Sequence, residues 1–134
     1  MNLKNMREVA LENQIEYLNF EQIGKFKYKN SILLNCGGSK IFDKMFIKKY
    51  DIPINYHHAE LPNFRGSNSN VYSLFKNKIN TYYSFNFLNA KIDKGYVFFK
   101  KKVKINNRNL FHSNYDLIKA SDGSKNIVKI LNQT

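Results

Sequence analysis
The sequence predicts an α+β protein, with a mixed helix and strand extension over residues 1–70 and a C-terminal unit of two helices on a small antiparallel sheet over residues 71–134. Three observations lead there. Apolar residues repeat at helical spacing in some segments and alternate in others. An aperiodic stretch rich in Pro, Asn and Ser separates the two kinds of region near residues 51–70. The charge is also uneven: of 22 basic and 10 acidic residues, 12 basic but 3 acidic residues lie after position 74, so most of the net +12 sits in the C-terminal part.

In chain order, residues 3–19 place Met6, Val9, Ala10, Leu11, Ile15 and Leu18 along one helical face and Glu8, Glu12 and Glu16 along another. The run from Ser31 to Asn35, closed by Gly37-Gly38, predicts a buried strand and a turn. Ser39 is an N-cap for a helix carrying Ile41, Phe42, Met45 and Phe46, which Pro53 stops near Asp51. Residues 51–70 predict a linker. Val71, Leu74, Phe75, Ile79 and Tyr82 predict the first C-terminal helix, and Asn89 caps a second one bearing Ile92, Tyr96, Val97 and Phe99. Gly95 inside that helix signals a close approach, because glycine there costs about 1 kcal/mol relative to alanine. Lys102 and Lys104 alternate with Val103 and Ile105 as in a half-buried strand. Two more strands are expected at Tyr115–Lys119 and Ile127–Leu131, separated by the turn Ser121-Asp122-Gly123-Ser124.

Composition narrows the function classes. The aromatic content of 15% and the many branched residues exclude a disordered chain. The one cysteine, Cys36, excludes an internal disulfide and a multi-cysteine zinc site. No apolar run approaches the roughly 18 to 20 residues of a membrane span. The first residues have neither a secretory apolar core nor an Arg/Ser-rich presequence. Abundant Asn, Lys, Ile, Phe and Tyr match an AT-biased genome such as that of an organelle, a reduced bacterium or a phage.

Lys78-Ile79, Phe87, Ala90-Lys91, the stretch Lys102-Val103-Lys104-Ile105-Asn106-Asn107 and Asp122 fall in an order that resembles the RNA-binding domain of the S-four family of small-subunit ribosomal proteins. The resemblance runs from Lys78 to Ile130. It departs from the family pattern at Lys78 and Lys91, where arginines are usual, at Asn107 in place of a turn glycine, and at Gly95. It implies a non-enzymatic constituent of a mitochondrial ribosome, encoded in the organelle. Its partners would be small-subunit ribosomal RNA and neighbouring ribosomal proteins, with no cofactor, no metal and no membrane.

The basic residues expected to meet RNA phosphates are Lys78, Lys91, Lys94, Lys100, Lys101, Lys102, Lys104 and Arg108. Tyr82, Tyr83, Phe85 and Phe87 are expected in the core, with base stacking as the other use of such rings. Two alternatives stand beside this reading. One is a phage or plasmid protein that binds a host nucleoprotein. The other is a metal nuclease built on His57, His58, Asn63, Asn68, Asn70 and His112.

Overall fold
The computed structural model describes residues 5–25, 28–38, 40–77, 80–104 and 112–133. Two short helices, α1 (Met6–Glu12) and α2 (Phe20–Lys25), precede β1 (Ile32–Cys36), α3 (Lys44–Ile47) and β2 (Ile52–His57). Then follow α4 (Ser69–Asn77), β3 (Asn80–Phe87), β4 (Val97–Lys104) and the long α5 (His112–Leu131). The strands form one mixed sheet in the order β1-β2-β3-β4. β1 and β2 are parallel, while β2 pairs with β3 and β3 with β4 antiparallel.

This architecture replaces the expected two-helix unit on a small antiparallel sheet. The expected boundary at residue 70 falls inside α4, and β2 before it is hydrogen-bonded to β3 after it. The stretch expected as a linker contains β2. Its alternate side chains Asn55 and His57 are polar yet buried, so a search for alternating apolar residues passes over it.

The expected helix over residues 3–19 is divided by local side-chain chemistry. Asn5 and Glu8 close a capping box on α1. Gln14 adopts φ 56 just past its end, and the Asn13 amide donates to the Val9 carbonyl at 2.8 Å. A second reciprocal pair, Asn19 with Gln22, opens α2. The crossover between the parallel strands holds α3, capped by Asp43, whose carboxylate accepts from the Phe46 N–H at 2.7 Å; Ser39, the expected cap, lies outside the described residues. Phe46 stacks on Phe20 and Phe42, with ring centroids 5.2 and 5.0 Å away, which ties α2 to this crossover.

The core lies on one face of the sheet. Ile54 and Tyr56 of β2 and Tyr83 and Phe85 of β3 pack with Ile127 of α5, flanked by Phe98, Phe99 and Val103 of β4. Each such large side chain, when fully buried, contributes about 1.5–3 kcal/mol. Tyr83 and Phe85 belong to a strand, not to the expected first helix. The expected second helix is a loop followed by β4, where Phe98 and Phe99 both reach Phe85 because the ladder slips between Phe85 and Asn86.

The two expected C-terminal strands are one helix, α5. Gly123 is not a turn residue but the place where α5 meets the sheet: a Cβ there would stand 2.8 Å from the Tyr56 ring. The lysine run lies on β4, a sheet edge among the described residues, and alternation sends its side chains to opposite faces. Lys100 pairs with Glu60 at 2.9 Å, and Lys101 pairs with Asp122 of α5 at 2.9 Å. Lysines on an outer strand discourage edge-to-edge pairing with other chains. Among the described residues, no helix is long and apolar enough to cross a membrane.

Candidate active site
Because side chains alternate along a strand, Ile54 and Tyr56 enter the core while Asn55 and His57 point to the opposite face of β2. The register aligns polar partners there. Asn35 of β1 and Asn86 of β3 both stand opposite Asn55, and Ser84 stands opposite His57. The result is a row of amides across three strands. Asn35 donates to the Asn55 oxygen at 2.8 Å, Asn55 donates to the Asn86 oxygen at 3.1 Å, and Asn86 donates to the Phe87 carbonyl at 3.0 Å. Buried amides need such partners, and each donor that lost one would cost about 1–3 kcal/mol.

Two loops close over this polar face, and Asp93 joins them. Its carboxylate accepts from the Asn55 amide at 3.1 Å and from the Gly66 N–H at 2.9 Å. Its backbone carbonyl accepts from the Arg65 guanidinium at 3.1 Å. Asp93 holds φ 49, in the left-handed region that Asp tolerates better than most residues. Gly95, two residues on, passes so near β3 that a Cβ would overlap the Phe87 carbonyl oxygen at 1.7 Å. The close approach expected at Gly95 is therefore to the protein's own backbone.

His57 is the titratable centre. Its Nε2 lies 2.7 Å from the Phe64 carbonyl, which can only accept, so Nε2 carries a hydrogen. Nδ1 faces Asp93 at 3.5 Å, and both side chains are about nine-tenths buried. Burial pushes the imidazole below its usual value, against the opposing pull of Asp93. The resting ring is neutral, and Nδ1 is the atom that accepts or returns a proton beside the carboxylate. An amide, an imidazole and a carboxylate are thus brought together by a strand and one loop, as proton transfer at a reacting carbonyl requires.

A second cluster occupies the other side of the β2 tip. His58 Nδ1 lies 3.6 Å from Asp116 of α5, and Asn70 of α4 donates to Asp116 at 2.9 Å. Lys119, with 0% exposure, pairs with Asp116 at 3.1 Å and donates to the His58 carbonyl at 2.6 Å. Burial alone would raise the Asp116 carboxyl, but the His58 contact, the Lys119 charge and the Asn70 amide hold it well below the usual carboxylate range. Both clusters line one cleft of about 510 Å³ at the carboxyl ends of β1 and β2. Open sheets with parallel strands bind their ligands at that end.

None of the six described lysines expected as RNA contacts lines this cleft. Lys91 and Lys94 are exposed on the Asp93 loop, Lys100 and Lys101 are paired with acids, and Lys102 and Lys104 are exposed on β4. Lys78 and Arg108 lie outside the described residues. Of the residues considered for a metal nuclease, His57, His58 and Asn70 do meet at the cleft, yet no group of three or more His, Cys, Asp or Glu suited to a metal exists among the described residues. Sequence reasoning missed Asn55 and Asp93. The available signal was Asn55-Tyr56-His57, whose spacing of two puts amide and imidazole on one face of a strand.

A family model described as formyl transferase matches residues 10–129. The chain belongs to the formyl transferase family. No curated protein matches it. WlaRD, a sugar 3N-formyl transferase solved in the presence of dTDP and 5-N-formyl-THF, aligns at TM-score 0.73 and 21% identity over 97% of this chain and 47% of its own. The N-formyltransferase from Helicobacter canadensis, solved with folinic acid and dTDP-3-aminofucose, aligns at 0.73 and 21% over 98% of this chain and 49% of its own. Phosphoribosylglycinamide formyltransferase from Streptococcus pneumoniae aligns at 0.61 and 16% over 94% and 62%. At these identities the likeness establishes the fold, and the formyl transferase chain spans about half to three-fifths of those proteins.

Family membership overturns the resemblance to the S-four ribosomal proteins. With it go the non-enzymatic ribosomal role, the ribosomal RNA and ribosomal protein partners, and both alternatives. The physical reason is that the stretch taken for two helices is β3, a loop and β4, in which aromatic rings recur at spacings that fit either period.

Proposed function
We propose that this chain carries the reacting site of an N-formyltransferase that moves a formyl group from an N-formyl tetrahydrofolate to the amine of a nucleotide-linked sugar. The observation that carries the reading is the cluster of Asn55, His57 and Asp93 on the floor of a cleft, within the span matched by the family model. The choice of acceptor is supported by the two sugar formyltransferases, whose fold similarity exceeds that of the phosphoribosylglycinamide enzyme.

In the reaction the acceptor nitrogen bonds to the formyl carbon, negative charge gathers on the formyl oxygen, and the bond from carbon to the donor nitrogen breaks. His57 takes at Nδ1 a proton that the acceptor nitrogen loses, and the resulting imidazolium donates to that oxygen before a proton passes to the departing donor nitrogen. Asp93 stabilises the imidazolium, and Asn55 aims Asp93 by donating to it. Polar side chains buried beneath the loops keep these groups out of bulk water, which strengthens each interaction.

The test is incubation of the purified protein with an N-formyl tetrahydrofolate and either dTDP-3-aminofucose or phosphoribosylglycinamide, followed by mass spectrometry for the formylated acceptor. Product is expected with the amino sugar. Replacement of His57 by Asn or Asp93 by Asn should lower the rate by about 10²–10⁴-fold. Absence of a formylated product with every amine tried would refute the reading.

A further inference from the structure
The amide row across β1, β2 and β3 can run in one direction only, because it ends on groups that cannot donate. The Phe87 carbonyl accepts from the Asn86 nitrogen at 3.0 Å, so Asn86 turns its oxygen toward Asn55. The Asp93 carboxylate also accepts from Asn55, at 3.1 Å. Both acceptors meet one atom, the Asn55 Nδ2, and its two hydrogens are thereby engaged. The Asn55 oxygen is left facing β1, where the Asn35 nitrogen donates to it at 2.8 Å.

An asparagine amide has nearly the same shape either way round, so packing alone does not decide which end meets which neighbour. For Asp93 the two orientations are opposites. With its nitrogen turned that way, Asn55 donates to the carboxylate that stands 3.5 Å from His57 Nδ1. With its oxygen turned that way, two acceptors would press together in a buried site with no donor between them. Asn86 and Asp93 attract the nitrogen end of the amide, and Asn35 holds the oxygen end. The contact is direct, since Asn35 and Asn55 stand opposite each other in the parallel β1 and β2 pair. The turn after β1 is shaped around it: a Cβ on Gly38 would come within 3.2 Å of the Asn35 oxygen, so this side chain lies against the turn with its nitrogen toward Asn55.

We propose that Asn35 is a positioning residue for formyl transfer: its donation to Asn55 fixes the amide orientation that holds Asp93 against His57. This rests on the formyl transfer proposed above, in which Asp93 stabilises the imidazolium. Asn35 meets no reacting atom in this role. It acts through two hydrogen bonds in series, Asn35 to Asn55 and Asn55 to Asp93. The titratable groups that act on His57 are Asp93, His58 and Lys119, none of them on β1, so an effect of position 35 on His57 has to pass along that relay.

The experiment compares wild type with N35L, which keeps the size but has no donor, and N35D, whose carboxyl can donate only when protonated. Each rate is referred to the folded fraction found by circular dichroism, so that a loss of stability does not register as a loss of turnover. With dTDP-3-aminofucose and an N-formyl tetrahydrofolate, both variants should lower kcat by about 10²-fold near pH 8, the loss that a misplacement of about 1 Å can cause, with the KM of each substrate little changed. Toward about pH 5, where a carboxyl raised by burial takes up a proton, N35D should recover toward wild type and N35L should not. A further measurement needs no turnover. Followed by NMR, the His57 ring should titrate at higher pH in N35L than in wild type, because an Asp93 without its Asn55 donor holds the imidazolium more tightly. An N35L enzyme with the kcat of wild type would overturn the positioning role, as would an N35D deficit that tracks that of N35L at every pH, or a His57 titration that N35L leaves in place. A wild-type protein that formylates no amine ends the formyl transfer reading, and the NMR titration still decides whether Asn35 governs His57.

Discussion
Replacement of Gly95 by Ala tests how tightly backbone packing governs the reacting groups. The new Cβ would lie 1.7 Å from the Phe87 carbonyl oxygen and 2.7 Å from its carbon. Carbon and oxygen in contact stand about 3.3 Å apart, so roughly 1.6 Å of movement is needed. Phe87 cannot supply it, because its N–H donates to Tyr96 at 2.9 Å and its oxygen accepts from the Asn86 amide at 3.0 Å. The loop must move instead, and Asp93 moves with it. The bonds that Asp93 accepts from Asn55 and Gly66 would both be lost. A hydrogen bond to a charged group contributes about 1.5–3 kcal/mol, so with the added strain a loss of about 3–6 kcal/mol is expected. For a domain of this size that lowers the melting temperature by on the order of 10 °C.

Calorimetry reads that change, and formyl transfer by the folded fraction should fall by about 10²-fold, because a displacement near 1 Å can cost that much. Gly24→Ala is the control. Gly24 meets nothing within 4 Å inside α2, so it should be neutral or gain up to about 1 kcal/mol from helix propensity. A G95A protein that melts and reacts like wild type would refute the reasoning.

Three further outcomes are expected. Asn35→Ala leaves the Asn55 oxygen without its donor and should cost about 1–3 kcal/mol in urea denaturation, with a larger effect on turnover than Asn19→Ala at the exposed α2 cap. The Asp116 carboxyl is held below the value it has in the unfolded chain, so its contribution to stability is complete above about pH 4 and is lost as pH falls through the folded-state value. D116N should therefore flatten the acid limb of stability measured from pH 2 to pH 7, and wild type and variant should converge toward the acid end. Replacing Lys102 and Lys104 with Val should leave the fold intact by circular dichroism yet produce light-scattering aggregates, because the outer strand loses its charges.

Part of this structure was legible in the sequence. Ile32–Cys36 follows a branched apolar run ended by Gly37, which adopts φ 79, although the strand expected to be buried alternates exposed and half-buried residues; α4 starts at Ser69, two residues before Val71, where the helical pattern begins. The alternation around Val103 is real, since that residue packs on the core while Lys102 and Lys104 are exposed. β3 was illegible because Tyr83 and Phe85 face the core while Thr81, Ser84 and Asn86 are also fully buried, so neither period shows cleanly. Ser121-Asp122-Gly123-Ser124 has turn composition, but Gly123 serves the contact with Tyr56, a partner 67 positions away that no local rule reveals. The pair His57-His58 was conspicuous, yet its acids, Asp93 and Asp116, come from a loop and a helix remote in the chain. Polar residues buried at strand positions are where local patterns should be expected to fail, because function has displaced the side chains that folding alone would choose.

The amide-lined side of the sheet carries an evolutionary cost. Substituting leucine or valine for Asn35, Asn55 and Asn86 together would give that surface the same oily character as its reverse and yield a sturdier fold with no chemistry left in it. A selection for heat resistance alone should therefore drift toward such inert variants, whereas a selection that also demands turnover should keep all three asparagines.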